Sequence, residues 1–159
     1  CESSRSPIDT LLVNCGAGGT FIRWLGQTIA VVDNASDLQA GVQAFDHGSD
    51  EKAWNYFRKA GREGNTEADY WLGRMSELGT YVKPDPVKAA TYYKTAAEAG
   101  WSLAKAKLGH LYLTGEGVSQ DYVSARSWLE QAARDNSPDA QYDLGRINAE
   151  GLGINNNPV

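Results

Sequence analysis

One spacing constrains this chain more than any other feature. From Lys52 onward, a pattern of 36 residues is written three times without insertion or deletion, over residues 52–87, 88–123 and 124–159. Small and apolar residues recur at matching positions: Ala60, Ala96 and Ala132; Ala68, Ala104 and Ala140; Leu72, Leu108 and Leu144; Gly73, Gly109 and Gly145. A fixed period in this range is typical of stacked helical hairpins.

Each copy reads as two helices joined by short turns. Apolar residues over positions 53–60 have the spacing of one helix face. Residues that tolerate a left-handed backbone follow in the three copies: Gly64, Gly100 and Asn136. Predicted N-caps of the later helices are Asn65, Asp85 and Ser137. Trp128 shares an aromatic position with Tyr56 and Tyr92, so it is interpreted as a core residue. The sequence predicts an all-α fold of antiparallel helical hairpins.

The composition argues against several classes of function. A net charge of −5 disfavours a nucleic-acid-binding surface, which needs clustered Lys and Arg. Two cysteines are too few for a disulfide framework or a cysteine-rich zinc site, and two histidines in different segments offer little to a metal or a catalytic base. The carboxylates are scattered along the predicted helix surfaces. We therefore expect no cofactor, no metal and no enzymatic activity.

Three motifs in the repeats resemble a known family. The pattern A-x-x-[YW]-[FYL]-x-x-A-[AG], then A-x-x-x-L-G, then G-x-G-[VI]-x-x-[DN] is similar to the Sel1-like repeat, a relative of the tetratricopeptide repeat, over residues 52–159. The resemblance implies a right-handed α-solenoid that binds proteins or peptides and usually has no chemistry of its own. Tyr81 replaces the second loop glycine in the first copy, so we expect a differently shaped first loop. Asn136 and Asn157 are further departures.

The residues before the repeats are different in kind. Residues 37–51 are predicted to be a partial repeat, because Leu38, Val42 and Phe45 have the spacing of one helix face; this helix would cap the first hairpin. Residues 1–36 form an N-terminal extension. We expect residues 1–20 to be irregular and residues 21–29 to form a turn or two of amphipathic helix.

Two sequence features in this extension, a glycine-rich run and a cysteine, are interpreted as having no catalytic or nucleotide-binding role. Gly16, Gly18 and Gly19 follow an apolar run, but a dinucleotide fingerprint requires glycine where Phe21 stands, and the Lys-Ser/Thr pair of a P-loop is absent. A flexible glycine-rich loop is favoured. Cys15 has no visible base beside it and is interpreted as an ordinary thiol.

The first residue, Cys1, is a candidate lipidation site. A mature bacterial lipoprotein begins at its lipidated cysteine, and many Sel1-like proteins resemble exported envelope proteins. This interpretation puts the chain in the periplasm or at the outer membrane, with membrane contact only through Cys1. The alternative is a fragment with an arbitrary start, in the cytoplasm. No stretch is long and apolar enough to cross a bilayer.

Large residues that do not repeat are the candidate protein-binding residues, because the repeated positions form the core. They are Trp54, Arg58, Trp71, Arg74, Trp101, His110 and Arg146. Trp and Arg are favoured at interfaces. The alternative is that each bulky residue seals a junction between repeats.

These features predict a non-enzymatic protein–protein interaction scaffold, or an accessory subunit, of a bacterial envelope assembly. The alternative is a regulator or assembly factor that binds and controls an enzyme or a secretion complex. Residues 157–159 repeat the phase of residues 85–87, which introduce a helix. We therefore expect either a native chain that continues past Val159 or a partner that covers Leu144, Ile147 and Ile154.

Overall fold

A computed structural model describes residues 2–5, 11–15, 19–24, 27–30 and 34–153, with side chains from residue 37 onward. Its helical part holds helices of 13 residues each: α1 Asn34–Asp46, α2 Asp50–Arg62, α3 Thr66–Leu78, α4 Pro86–Glu98, α5 Ser102–Thr114, α6 Tyr122–Arg134 and α7 Pro138–Glu150. From α4 onward, each helix begins 36 residues after the helix two before it. The predicted helical repeat solenoid is confirmed.

The N-terminal segment differs from the irregular chain that we expected. Its described residues form an antiparallel sheet of strands in the order β1 Glu2–Arg5, β2 Leu11–Cys15, β3 Gly19–Trp24 and β4 Gln27–Ala30. The pairing of Cys15 with Gly19 makes β2 and β3 a hairpin. Runs rich in Val, Ile, Thr and aromatic residues on either side of a short glycine-rich connection are a hairpin signal. This local preference outweighs the helical spacing within residues 21–29.

The turns follow the sequence signals closely. Each predicted N-cap accepts a hydrogen bond from a backbone N–H in the first turn of its helix: Asn65, Asp85 and Ser137. The bond from the Lys88 N–H lowers the pKa of Asp85. The predicted left-handed residues Gly64, Gly100 and Asn136 have φ angles of 90°, 97° and 63°. Local chemistry therefore sets where the helices begin and end.

The first loop keeps the backbone of the others despite its substitution. Tyr81 has a φ of 64°, beside 71° at Gly117 and 65° at Gly153. A left-handed backbone costs a residue with a Cβ about 1–2 kcal/mol. Side-chain contacts offset part of this cost, since the Tyr81 ring lies 6.5 Å from that of Trp54. The expected difference in loop shape is not seen at this residue.

The helices pack most extensively in the pairs α1–α2, α3–α4 and α5–α6. In each pair, a glycine at the eighth position of the first helix faces the large residue at the eighth position of the second: Gly41 and Phe57, Gly73 and Tyr93, Gly109 and Leu129. A Cβ on Gly73 would lie 2.8 Å from the Tyr93 ring, closer than real Cβ contacts come. The three large side chains are 0% exposed. Glycine is therefore what lets each pair of helices approach.

In α2, α4 and α6, the aromatic position that was interpreted as core is not the buried one. Tyr56 is 38% exposed, and Tyr92 and Trp128 are half-buried rather than in the core. Successive residues of a helix point about 100° apart, so only one of two neighbours can enter the glycine gap. That residue is the one at the eighth position. Trp128 is thus a partly exposed residue that packs at the edge of the core.

The glycine gap makes a sharp prediction about stability. We expect Gly73→Ala to lower the free energy of unfolding by about 1–3 kcal/mol, because the added methyl group overpacks against Tyr93. The control is Gly145→Ala, at the same position of α7, where no atom lies within 4 Å of the added Cβ. This change should raise the free energy of unfolding by up to ~1 kcal/mol, because alanine is the better helix former. Urea denaturation measures both, and equal effects would contradict the packing role.

Candidate functional site

A groove crosses α3, α5 and α7. Equivalent residues of these three helices, which are 36 positions apart in the sequence, lie on the same face of the structure. The groove contains a cavity of about 290 Å³. The apolar and aromatic lining residues are Tyr70, Leu103, Ala106 and Tyr142. The polar ones are Lys107, His110, Asp139, Asp143 and Arg146. We call this surface the α3–α5–α7 groove.

A buried carboxylate organises one side of this groove. Asp143 is 5% exposed, its Oδ2 lies 2.8 Å from Nδ1 of His110, and its Oδ1 lies 3.7 Å from Nη1 of Arg146. Because an ionised carboxylate only accepts hydrogen bonds, Nδ1 of His110 carries the proton and donates. The other ring nitrogen, Nε2, is left for a further partner. The carboxylate therefore fixes both the orientation and the tautomer of the histidine.

A second network links the groove to the helix core. The Lys107 ammonium lies 3.2 Å from both carboxylate oxygens of Glu77, and the Tyr93 hydroxyl donates to Glu77 at 2.5 Å. Burial, together with the hydrogen bond to Glu77, raises the pKa of the Tyr93 phenol far above its ordinary value. The phenol therefore stays protonated and keeps donating. In this way, the residue that fills the glycine gap also positions the charge of Lys107.

Of the candidate binding residues, His110 and Arg146 meet in the cavity at Asp143. Arg74 on α3 stands 36 residues before His110, at the equivalent position of the preceding repeat. Its guanidinium carbon lies 5.2 Å from the centroid of the Trp71 ring and 5.7 Å from that of Phe45. Stacking of this kind is a cation–π interaction. The three candidates thus form one row along the groove.

Trp71 and Trp101 have the surroundings of packing residues. The Trp71 ring is stacked on Phe57, with 5.6 Å between centroids and 7° between planes. Trp101 packs against the buried cluster of α4 and α5. The indole nitrogens of both are buried and have no hydrogen-bond partner among the described residues. This agrees with the alternative that such residues seal repeat junctions; a role in binding stays a prediction.

Trp54 and Arg58 lie on α2, outside the groove cavity. The Trp54 ring lies 6.5 Å from those of Tyr81 and Tyr92. Arg58 lines another cavity, of about 260 Å³, with Tyr92 and Asp69, and burial raises the pKa of the Asp69 carboxyl. The structure does not bring these two candidates together with His110. Cys1 lies outside the described residues.

Sequence reasoning missed seven of the residues that line the groove cavity, among them Ala106, Lys107, Tyr142 and Asp143. A signal for these four was present, since they stand three or four residues before His110 and Arg146 and therefore on the same helix face. Tyr142 is 70% exposed, whereas Tyr70 at the equivalent position is 7% exposed, so the repeat pattern alone did not distinguish them. The burial of Asp143 had no local signal, because a carboxylate is normally expected on the surface.

Two further classes of site are not found in the described part of the chain. No group of three or more His, Cys, Asp and Glu side chains there is placed to hold a metal ion. No helix there has the length and apolar character needed to cross a membrane.

The different surroundings of Trp71 and Arg74 can be tested by substitution. We expect Trp71→Ala to lower the free energy of unfolding by about 3 kcal/mol, because it removes a ring packed between two core clusters. Arg74→Ala should cost about 0.5–2 kcal/mol, the value of a cation–π contact, because Arg74 is half-buried. Urea denaturation followed by circular dichroism measures both. If Trp71→Ala were as mild as Arg74→Ala, Trp71 would not be a packing residue.

The sequence matches the Sel1 repeat family model at residues 41–65, 66–101, 102–137 and 138–159. These units keep the 36-residue period but begin at a different point from residue 52. The two complete units contain the pairs α3–α4 and α5–α6, which are among the most extensively packed pairs. Proteins built from Sel1 repeats are generally protein-interaction scaffolds. No curated protein matches the sequence.

Solved structures from three bacteria have similar folds. A protective antigen of uropathogenic Escherichia coli, described as displaying an SLR fold, is 27% identical over 76% of this chain, with a TM-score of 0.69. This chain spans only 27% of that antigen. A Sel1 repeat protein from Oxalobacter formigenes is 29% identical, with a TM-score of 0.66, over 72% of this chain and 89% of its own. Cysteine rich protein B of Helicobacter pylori is 28% identical, with a TM-score of 0.56, over 68% and 92%.

Proposed function

This chain belongs to the Sel1 repeat family, and we propose that it is a non-enzymatic interaction module that binds a segment of a partner protein in the α3–α5–α7 groove. The observation that carries the proposal is the cavity of about 290 Å³, which combines open aromatic surface with hydrogen-bonding groups fixed in place. Tyr and Arg are enriched among the residues that dominate binding energy. Tyr142 and Arg146 supply both types on α7.

The rigidity of the groove also supports binding. His110, Arg146 and Lys107 are each held by a carboxylate of a neighbouring turn or helix. Side chains that are ordered before binding lose less conformational entropy when a partner arrives. The groove therefore offers a partner a preformed set of donors and acceptors.

We test this function by photo-crosslinking in cells of the native host. A photoreactive phenylalanine analogue replaces Tyr142 in the groove or, as control, Val123 on α6, which is 63% exposed and lies outside the groove cavity. We expect position 142 to crosslink to a discrete protein, and position 123 not to. Adding Arg146→Ala should lower the yield at position 142 about tenfold without changing the melting temperature.

Equal crosslinking from both positions, or none from position 142, would contradict the proposal. The proportion of the partner that co-purifies with this chain separates two roles. A permanent scaffold or accessory subunit is present in every complex, whereas a regulator or assembly factor is found in only a fraction of them.

We further propose that the module acts in a bacterial envelope assembly and is attached to the membrane through a lipid at Cys1. Support comes from the bacterial origin of the similar structures. A single acyl chain binds membranes weakly, whereas several bind firmly. The location is then the periplasm or the outer membrane.

Mass spectrometry of the intact protein from the native host tests the anchor. We expect the added mass of acyl groups relative to the Cys1→Ser variant, with the protein in the membrane fraction. Cys1→Ser should lack the added mass and leave the membrane fraction. An unmodified Cys1 in the wild-type protein would overturn the anchor while leaving the groove proposal intact.

A further inference from the structure

The groove cavity lies beside a small residue at a position that holds tyrosine in the neighbouring repeats. Positions 70, 106 and 142 are equivalent in successive repeats, and they hold Tyr70, Ala106 and Tyr142. All three line the cavity, with the small side chain in the middle. An apolar cavity of about 150 Å³ is large enough to bind benzene. At about 290 Å³, this cavity has room for a substituted ring.

The walls of the cavity suit an aromatic guest. Tyr70 is 7% exposed and is held against the rings of Trp71 and Tyr93, at centroid distances of 5.7 and 5.9 Å. It provides a fixed wall. Leu103 and Tyr142 are 46% and 70% exposed, so a ring inserted beside them buries apolar surface that is otherwise open to water.

The charges around the cavity favour a neutral guest. Lys107 is paired with Glu77 at 3.2 Å, and Arg146 lies 3.7 Å from Asp143 and 3.9 Å from Glu150. His110 is bonded to Asp143 as well. Asp139 adds a further negative charge to the lining. The cations are thus already balanced, and a phosphate or carboxylate would meet two aspartates without a free positive charge.

A polar tip on the guest nevertheless has partners. Because Nδ1 of His110 is bonded to Asp143, Nε2 is the ring nitrogen that is left for a hydrogen bond with a hydroxyl group. The Lys107 ammonium lines the same cavity and can donate to the hydroxyl oxygen. We infer that this cavity is a binding site for the side chain of a tyrosine in a segment of the partner protein. The inference rests on the proposed function and names the chemistry of the partner.

The side-chain analogue p-cresol tests the inference on the full chain by NMR titration. We expect p-cresol to shift the amide signals of Ala106, His110 and Tyr142, and to bind about five- to tenfold more tightly than toluene, the difference expected for one hydrogen bond. The anion p-tolyl phosphate should bind more weakly than p-cresol. Tighter binding of toluene or p-tolyl phosphate would overturn the choice of tyrosine.

Two variants locate the site. Ala106→Tyr adds an aromatic ring at the cavity wall and should weaken p-cresol binding at least about tenfold. Thr114→Tyr, exposed on the same helix and outside the cavity, should not. If Ala106→Tyr fails to fold, His110→Leu serves instead: it replaces the imidazole with an apolar side chain and removes the hydrogen bond to Nε2, so p-cresol should lose its advantage over toluene. Unchanged p-cresol binding in the variant used would overturn the inference.

The p-cresol titration and the crosslinking experiment can fail independently, so failure of the tyrosine site is distinguishable from failure of the proposed function. If position 142 crosslinks to a partner but p-cresol does not bind, the tyrosine site is wrong and the interaction function stands. If p-cresol binds as expected but no partner crosslinks, the cavity is a phenol-binding site and the interaction function is wrong.

Discussion

Close contact between a glycine and a large side chain is the interaction on which the rest of this structure depends. Gly73 leaves no room for a Cβ because the Tyr93 ring occupies that space, and the pairs on either side repeat the arrangement. The contact sets how near the two helices of a hairpin lie, and so which residues of the next helix reach the surface. Dispersion and apolar burial at such a close-packed contact are lost steeply when the fit is disturbed.

The same contact reaches the groove through a short chain of polar atoms. Tyr93 fills the gap with its ring and holds Glu77 with its hydroxyl, and Glu77 in turn pairs with Lys107 at the cavity. On α7, the buried Asp143 holds the side chains of His110 and Arg146 in place in the same way. Packing of the hairpins therefore determines where the polar groups of the groove stand.

The charge balance of the groove has a consequence for recognition. Although the chain carries a net charge of −5, the cations of the cavity are each paired with a carboxylate. Local attraction of an anionic group to the cavity is then weak, and affinity there depends on shape, aromatic burial and short hydrogen bonds. Such binding should respond little to salt, because screening acts mainly on unpaired exposed charges.

The sequence by itself determined the period, the helices and their caps. Those features depend on residues close together in the chain: glycine or asparagine where a helix ends, Asn65 or Asp85 where one begins, and apolar residues at helical spacing. Only the tertiary structure showed which of the non-repeating residues form the site. Trp71 and Arg74 look alike as non-repeating residues in the sequence. In the structure, the Trp71 ring stacks on Phe57, whereas the Arg74 guanidinium lies over the Trp71 ring. The cavity beside Ala106 and the burial of Asp143 arise from residues that neighbouring repeats place opposite each other. A pattern read along one helix cannot contain that information, because the neighbours are set by the stacking of helices 36 residues apart.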